Sequence, residues 1–171
     1  MKTPKEHLIK RQIEHIRLVQ DSGIFLELNK DKLPFEIEDF EILNRALCHD
    51  LDKFKKGKTR DGYMALAEYH ENRMNDIPNK VKPEDLEYGC EIHYKTQDHH
   101  MAYYFDKKVE PSNVAICEMC CDILACANRH NGNVDSAIEY FLKNFNDEFS
   151  KKNKEIFIKI FELLREKENE N

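Results

Sequence analysis

The sequence predicts an all-α fold, a single-domain bundle of about seven helices, and three observations carry that reading. Only five glycines and five prolines occur in 171 residues, so few positions interrupt a helix. Charged residues make up 35% and apolar residues 40%, a balance that suits amphipathic helices around a core better than a disordered or fibrous chain. Apolar side chains recur at helical spacing. A chain of this length removes about two-thirds of its unfolded surface from water, enough for one core.

Leu8, Ile9, Ile13, Ile16 and Val19 fall on one stripe at a 3.6-residue period, which predicts a first helix over residues 4–21. "DSGIFLELNKDKLP" reads as a connection with its own apolar plug. After Pro34 a second helix is expected over 36–49, with Ile37, Phe40, Leu43 and Leu47 facing inward and His49 and Asp50 at its end. The basic stretch "KFKKGKTR" leads to a third helix near 60–76, closed by the two prolines of "DIPNKVKP". A fourth runs from Pro83 to Thr96, and "DHHMAYYFDKKVEPS" reads as an irregular link. Ser112 is placed to cap a fifth helix reaching Arg129, by accepting a bond from a backbone N–H of the first turn. A sixth helix over 134–148 and a seventh over 151–168, the latter after a Ser150 cap, complete the chain.

The net charge of −6 argues against a general nucleic-acid binder, which needs clustered Lys and Arg. No stretch approaches the roughly 18 apolar residues of a membrane span, and "MKTPKEHLIK" lacks the apolar core of a signal peptide. A cytoplasmic location is therefore expected, with six reduced cysteines.

The fifth helix, "NVAICEMCCDILACANR", is apolar or small in nearly every direction, as a buried helix is. At 100° per residue Glu118, Asp122 and Arg129 fall within about 40° of one another, a single polar stripe flanked by Ala115 and Ala125. Buried carboxylates are costly unless they pair or coordinate a cation. The stripe therefore predicts either an ion pair of Arg129 with Asp122 or Glu118, or a metal site with room beside the alanines. His15 lies at the margin of the first helix's apolar face, His93 lies within the fourth helix, and His99 and His100 follow just past its end. His7 and His130 are expected at the surface.

The order along the chain is His15, then the adjacent His49 and Asp50, then His93, then His99 and His100, then Asp122. This order resembles the HD-domain superfamily of metal-dependent phosphohydrolases, helical proteins named for an adjacent His-Asp pair, and most of all an uncharacterised HD-like branch found in bacterial and phage proteins. The likeness covers roughly residues 7–130 and rests on "EHIRLV", "CHDLDKF", "HYKTQDHH" and "EMCCDILA"; the helices over 133–168 lie outside it. The step from His49 to Lys53 is similar to the superfamily's His-Asp-x-x-Lys pattern. The resemblance implies that His15, His49, Asp50 and Asp122 bind a first metal, and that His93 with His99 or His100 serves a second.

Mixed imidazole and carboxylate donors suit Mn, Fe, Co, Ni or Mg, with Zn also possible, in one or two ions per chain. The implied activity is hydrolysis of a small phosphorylated substrate, a nucleotide or related phosphate ester, as a phosphomonoesterase or phosphodiesterase. Lys53 would contact the substrate, and Glu118 and Arg129 would orient ligands or meet a phosphate. Lys53, Lys55, Lys56, Lys58 and Arg60 form a basic run, either a solvated loop or an anion-gathering one. Two other readings stand beside this one. In the first, Cys117, Cys120 and Cys121 form a thiolate zinc site with Cys90 or Cys48. In the second, the chain is a non-catalytic metal- or nucleotide-binding protein. The oligomeric state is open.

Overall fold

A computed structural model of the chain describes residues 3–145 and 149–169. Among the described residues there are eight α-helices and no strand: α1 (Pro4–Leu28), α2 (Glu41–Cys48), α3 (Lys58–Met74), α4 (Pro83–Thr96), α5 (Met101–Lys107), α6 (Asn113–Asn128), α7 (Val134–Phe145) and α8 (Lys151–Asn169). Single 3-10 turns occupy Lys30–Lys32 and Leu51–Lys53. No described helix is long and apolar enough to cross a membrane. The helices group into two compact units, Met1–Glu14 with Asp50–Val109, and His15–His49 with Glu110–Asn171.

The first unit joins the start of α1 to α3, α4 and α5. Leu8, Tyr63 and Ala67 form its buried cluster, with Met64, Leu66 and Cys90 packed against them. His7, expected at the surface, instead sets its Nδ1 3.0 Å from Oε2 of the buried Glu71, whose other oxygen accepts from Asn75 Nδ2. The link after α4 is not wholly irregular, because α5 forms within it. Tyr104 fixes that helix by donating its hydroxyl to the Asp98 carbonyl at 2.6 Å.

The second unit is built around α6, which packs against α2, α7 and α8. Ala115 to Cys121, Leu124 and Ala125 are all buried there, as the near-continuous apolar surface of α6 requires. Ser112 Oγ accepts from Ala115 N at 3.3 Å and Ser150 Oγ from Asn153 N at 3.3 Å, so both expected caps form. The start of α7 is capped from a distance, because both Glu168 carboxylate oxygens accept from Val134 N. Phe141 of α7 stacks on Phe157 of α8 with ring centroids 4.3 Å apart, and both rings are fully buried. The expected tail of α7 over residues 146–148 lies outside the described residues.

Two helix boundaries differ from expectation for tertiary reasons. Helix α1 runs through "DSGIFLEL" instead of ending at residue 21. Gly23, which reads locally as a break, is a point of close approach: a Cβ there would overlap the Cβ of Ala46 on α2. Helix α2 begins at Glu41 instead of 36. Phe40 before it is left-handed at φ 66°, and Glu27 on α1 accepts from Phe40 N at 2.7 Å and Leu43 N at 3.2 Å. The later start turns Ile42 and Ala46 inward and leaves Phe40 and Leu47 exposed.

Gly23→Ala is therefore expected to lower stability by about 1–3 kcal/mol by overpacking, even though alanine is the better helix former by about 1 kcal/mol. Urea unfolding measures this, and an added Ala46→Gly change should recover part of the loss. A Gly23→Ala protein as stable as the parent would contradict the close approach.

Candidate metal centre

Asp50 begins the 3-10 turn Leu51–Lys53 in the left-handed region, at φ 60°. Aspartate tolerates this conformation better than most side chains. The turn carries Lys53 back so that its Nζ lies 2.5 Å from Asp50 Oδ2, with both side chains buried. Gln12 Nε2 donates to the same oxygen at 2.8 Å. The other oxygen, Oδ1, lies 3.0 Å from His93 Nε2 and 3.4 Å from His99 Nε2. His100, at the start of α5, places its Nε2 2.9 Å from His93 Nε2. Asp50, His93, His99 and His100 thus offer four ligand atoms lying within 4.8 Å of one another. Tyr63 packs edge-on to the His93 ring, and Lys53 Nζ lies 4.4 Å from the centre of the Tyr63 ring.

The second unit holds a group of its own. His15 of α1, His49 just past α2 and Asp122 of α6 bring three ligand atoms within 4.8 Å of one another. His15 Nε2 is 3.0 Å from Asp122 Oδ1 and 3.2 Å from His49 Nε2, and His49 Nε2 is 3.8 Å from Asp122 Oδ1. One turn earlier on α6, the buried Glu118 accepts from His49 Nδ1 at 2.8 Å and from the Arg45 guanidinium at 2.7 and 2.6 Å.

The donor sets fit a metal ion. Ligands bonded at about 2.0–2.2 Å and set at right angles stand about 3.0 Å apart, and most of these separations fall between 2.9 and 3.4 Å. The outer nitrogens sharpen the point. His93 Nδ1 donates to Asp52 Oδ2 at 2.8 Å and His49 Nδ1 to Glu118 Oε1 at 2.8 Å. With Nδ1 so engaged, each ring turns its Nε2 toward a carboxylate or a second imidazole. A proton relieves one such contact, whereas a cation relieves all of them. A carboxylate behind a ligand histidine also fixes the tautomer and ring orientation that a metal site needs.

Every histidine and aspartate that the sequence singled out as a metal ligand lies in one of these two groups. Lys53 is buried against Asp50, while Lys55, Lys56 and Lys58 point outward. Glu118 meets His49, but Arg129 makes no ion pair among the described residues, and the guanidinium beside Glu118 is that of Arg45. Sequence reasoning missed Asp52, Gln12 and Arg45. Asp52 carries the one local signal, an acid two residues after Asp50 in "HDLDK". No group of possible ligands among the described residues includes a cysteine. Cys117, Cys120 and Cys121 are buried, and burial pushes the Cys117 thiol up to about 12, so these residues behave as small apolar side chains.

A family model described as a family of unknown function (DUF5662) matches residues 5–163. No curated protein and no solved structure matches the chain.

Proposed function

Because the chain belongs to DUF5662, a family of unknown function, we propose its activity from the ligand groups: a metal-dependent phosphohydrolase of the HD-like kind, acting on a nucleotide or related phosphate ester in a reducing, cytoplasmic setting. The observation that carries the proposal is the convergence of Asp50, His93, His99 and His100 on one small volume. The order of these residues in the sequence, with His49 beside Asp50, supports the HD-like assignment. A bound divalent ion of the Mn, Fe, Co, Ni, Mg or Zn group would polarise a phosphoryl oxygen and lower the pKa of a coordinated water. Asp50 supplies the anionic donor, and Asp52 holds the His93 ring so that Nε2 faces inward. Lys53 lies against the Asp50 carboxylate, where an ammonium can meet phosphate charge. His100 is the least buried of the four ligands, which makes its side the approach for substrate.

Two measurements test the reading. Elemental analysis of purified protein is expected to find at least one divalent transition metal per chain, or uptake of Mn or Co after chelation. A panel of nucleoside mono-, di- and cyclic phosphates with added Mn or Co is then expected to yield hydrolysis product, and the ligand variants should give none. Nucleotide affinity without product would favour the non-catalytic binding protein, and protein that takes up no metal would end the phosphohydrolase reading.

A further inference from the structure

We infer a second ligand site in the first unit, a cavity that takes a small amphipathic anion, with an apolar body and one acidic head. Its volume is about 620 Å³, within the range of small-molecule sites. Leu8 and Ile9 of α1, Phe54 just past the Leu51–Lys53 turn, and Met64 of α3 supply an apolar wall, on which Ile9 stays 41% exposed. A large aliphatic side chain left open in a concave surface, rather than scattered on a convex one, marks a place where apolar surface can be covered. The polar lining is Lys5, Arg60 and Asp61.

The charges decide the class of ligand. Arg60 donates through Nε and Nη2 to Asp61 Oδ1, at 3.2 and 2.9 Å, so those two charges largely cancel. Lys5 has no ion-pair partner among the described residues, which leaves one uncompensated ammonium beside an apolar wall. An anion whose apolar body covers that wall brings its head beside the ammonium, where the two charges attract. A cation there would meet Lys5 with like charge, and a neutral apolar molecule would gain only the contact with the wall. The cavity also gives the basic stretch a purpose: its Phe54 and Arg60 fold onto the cavity while Lys55, Lys56 and Lys58 between them are exposed. None of the lining residues belongs to either metal-ligand group.

Calorimetric titration of the full chain with naphthalene-1-sulfonate, which has one fixed charge and cannot be hydrolysed by a phosphatase, tests the inference. The expected result is one saturable site per chain, with affinity at least tenfold above that of neutral 1-naphthol or cationic 1-naphthylmethylamine, and unchanged by a chelator. Lys5→Glu, at an exposed position that leaves the fold intact, should weaken the sulfonate at least tenfold and move 1-naphthol less than twofold. Ile9→Ser should weaken both. Equal affinity for the three probes, loss of binding on chelation, or indifference to Lys5→Glu would overturn the inference without bearing on the metal groups.

Discussion

Asp50→Ala is expected to lower folding stability by about 3–5 kcal/mol and to abolish metal uptake by the group it shares with His93, His99 and His100. The stability loss has a specific origin. Lys53 Nζ sits 2.5 Å from Asp50 Oδ2 with both side chains buried, and removing one partner of a buried pair leaves the other charge stranded. Gln12 loses its acceptor as well. Alanine must also adopt the left-handed backbone of residue 50 at φ 60°, which costs about 1 kcal/mol more than it does for aspartate. Asp50→Asn separates the two effects. It keeps the shape, the tolerance of a left-handed backbone and an acceptor for Gln12, and it gives up the charge that a cation needs. Denaturant unfolding should therefore place Asp50→Asn between the parent and Asp50→Ala, while metal analysis places both variants at the same low occupancy. Parent-like occupancy in Asp50→Asn would remove Asp50 from the ligand set.

The contrast between Asp50 and its neighbours separates what the sequence reveals from what it hides. Features that depend on nearby residues were legible: the Ser112 cap, the start of α4 at Pro83 and the burial of α6 all follow from side chains within one or two turns. Features that depend on a distant partner were not. Gly23 looks like a helix end until Ala46 stands against it, and α2 starts late because its cap, Glu27, comes from another helix. Helix α5 is a single short segment of seven residues without a side-chain cap, so neither periodicity nor a start signal marks it.

The same division holds for the ligand groups. Imidazoles and carboxylates are rare enough in buried settings for His15, His49, Asp50, His93 and Asp122 to stand out from their order alone. The resemblance grouped Asp50 with His15, His49 and Asp122, whereas the structure sets Asp50 among His93, His99 and His100 and sets His15 with His49 and Asp122. The orienting residues were the least legible. Gln12 and Arg45 have side chains whose role exists only through the carboxylate each one meets, Asp50 and Glu118 respectively.

For Asp122, the Asn replacement should leave the fold nearly unchanged and remove metal stabilisation from its group. The sequence left two roles open for this residue, a ligand or the partner of Arg129, and the two differ in what the replacement breaks. Arg129 makes no ion pair among the described residues, and Asp122 Oδ1 instead lies 3.0 Å from His15 Nε2. An asparagine keeps the volume and an oxygen that can face His15, so the expected loss of stability without metal is under about 1 kcal/mol, in contrast to the 3–5 kcal/mol of a broken buried ion pair. With metal the proteins diverge. An ion bound only to the folded state and supplied at 100 times its dissociation constant adds about 2.7 kcal/mol, which in a chain of this size raises the melting temperature by about 5–10 °C. Titrating Mn or Co into chelator-stripped protein and following the thermal transition should give a rise of that order in the parent and a smaller one in Asp122→Asn, where only the Asp50 group still binds. Glu118→Gln should fall between them, because it weakens the carboxylate that orients His49, a kind of change that typically costs 10–100-fold in metal affinity. Equal metal-induced shifts in the parent and Asp122→Asn would show that the His15, His49 and Asp122 group holds no ion, and its short contacts would then be ordinary hydrogen bonds among the two imidazoles and the carboxylate.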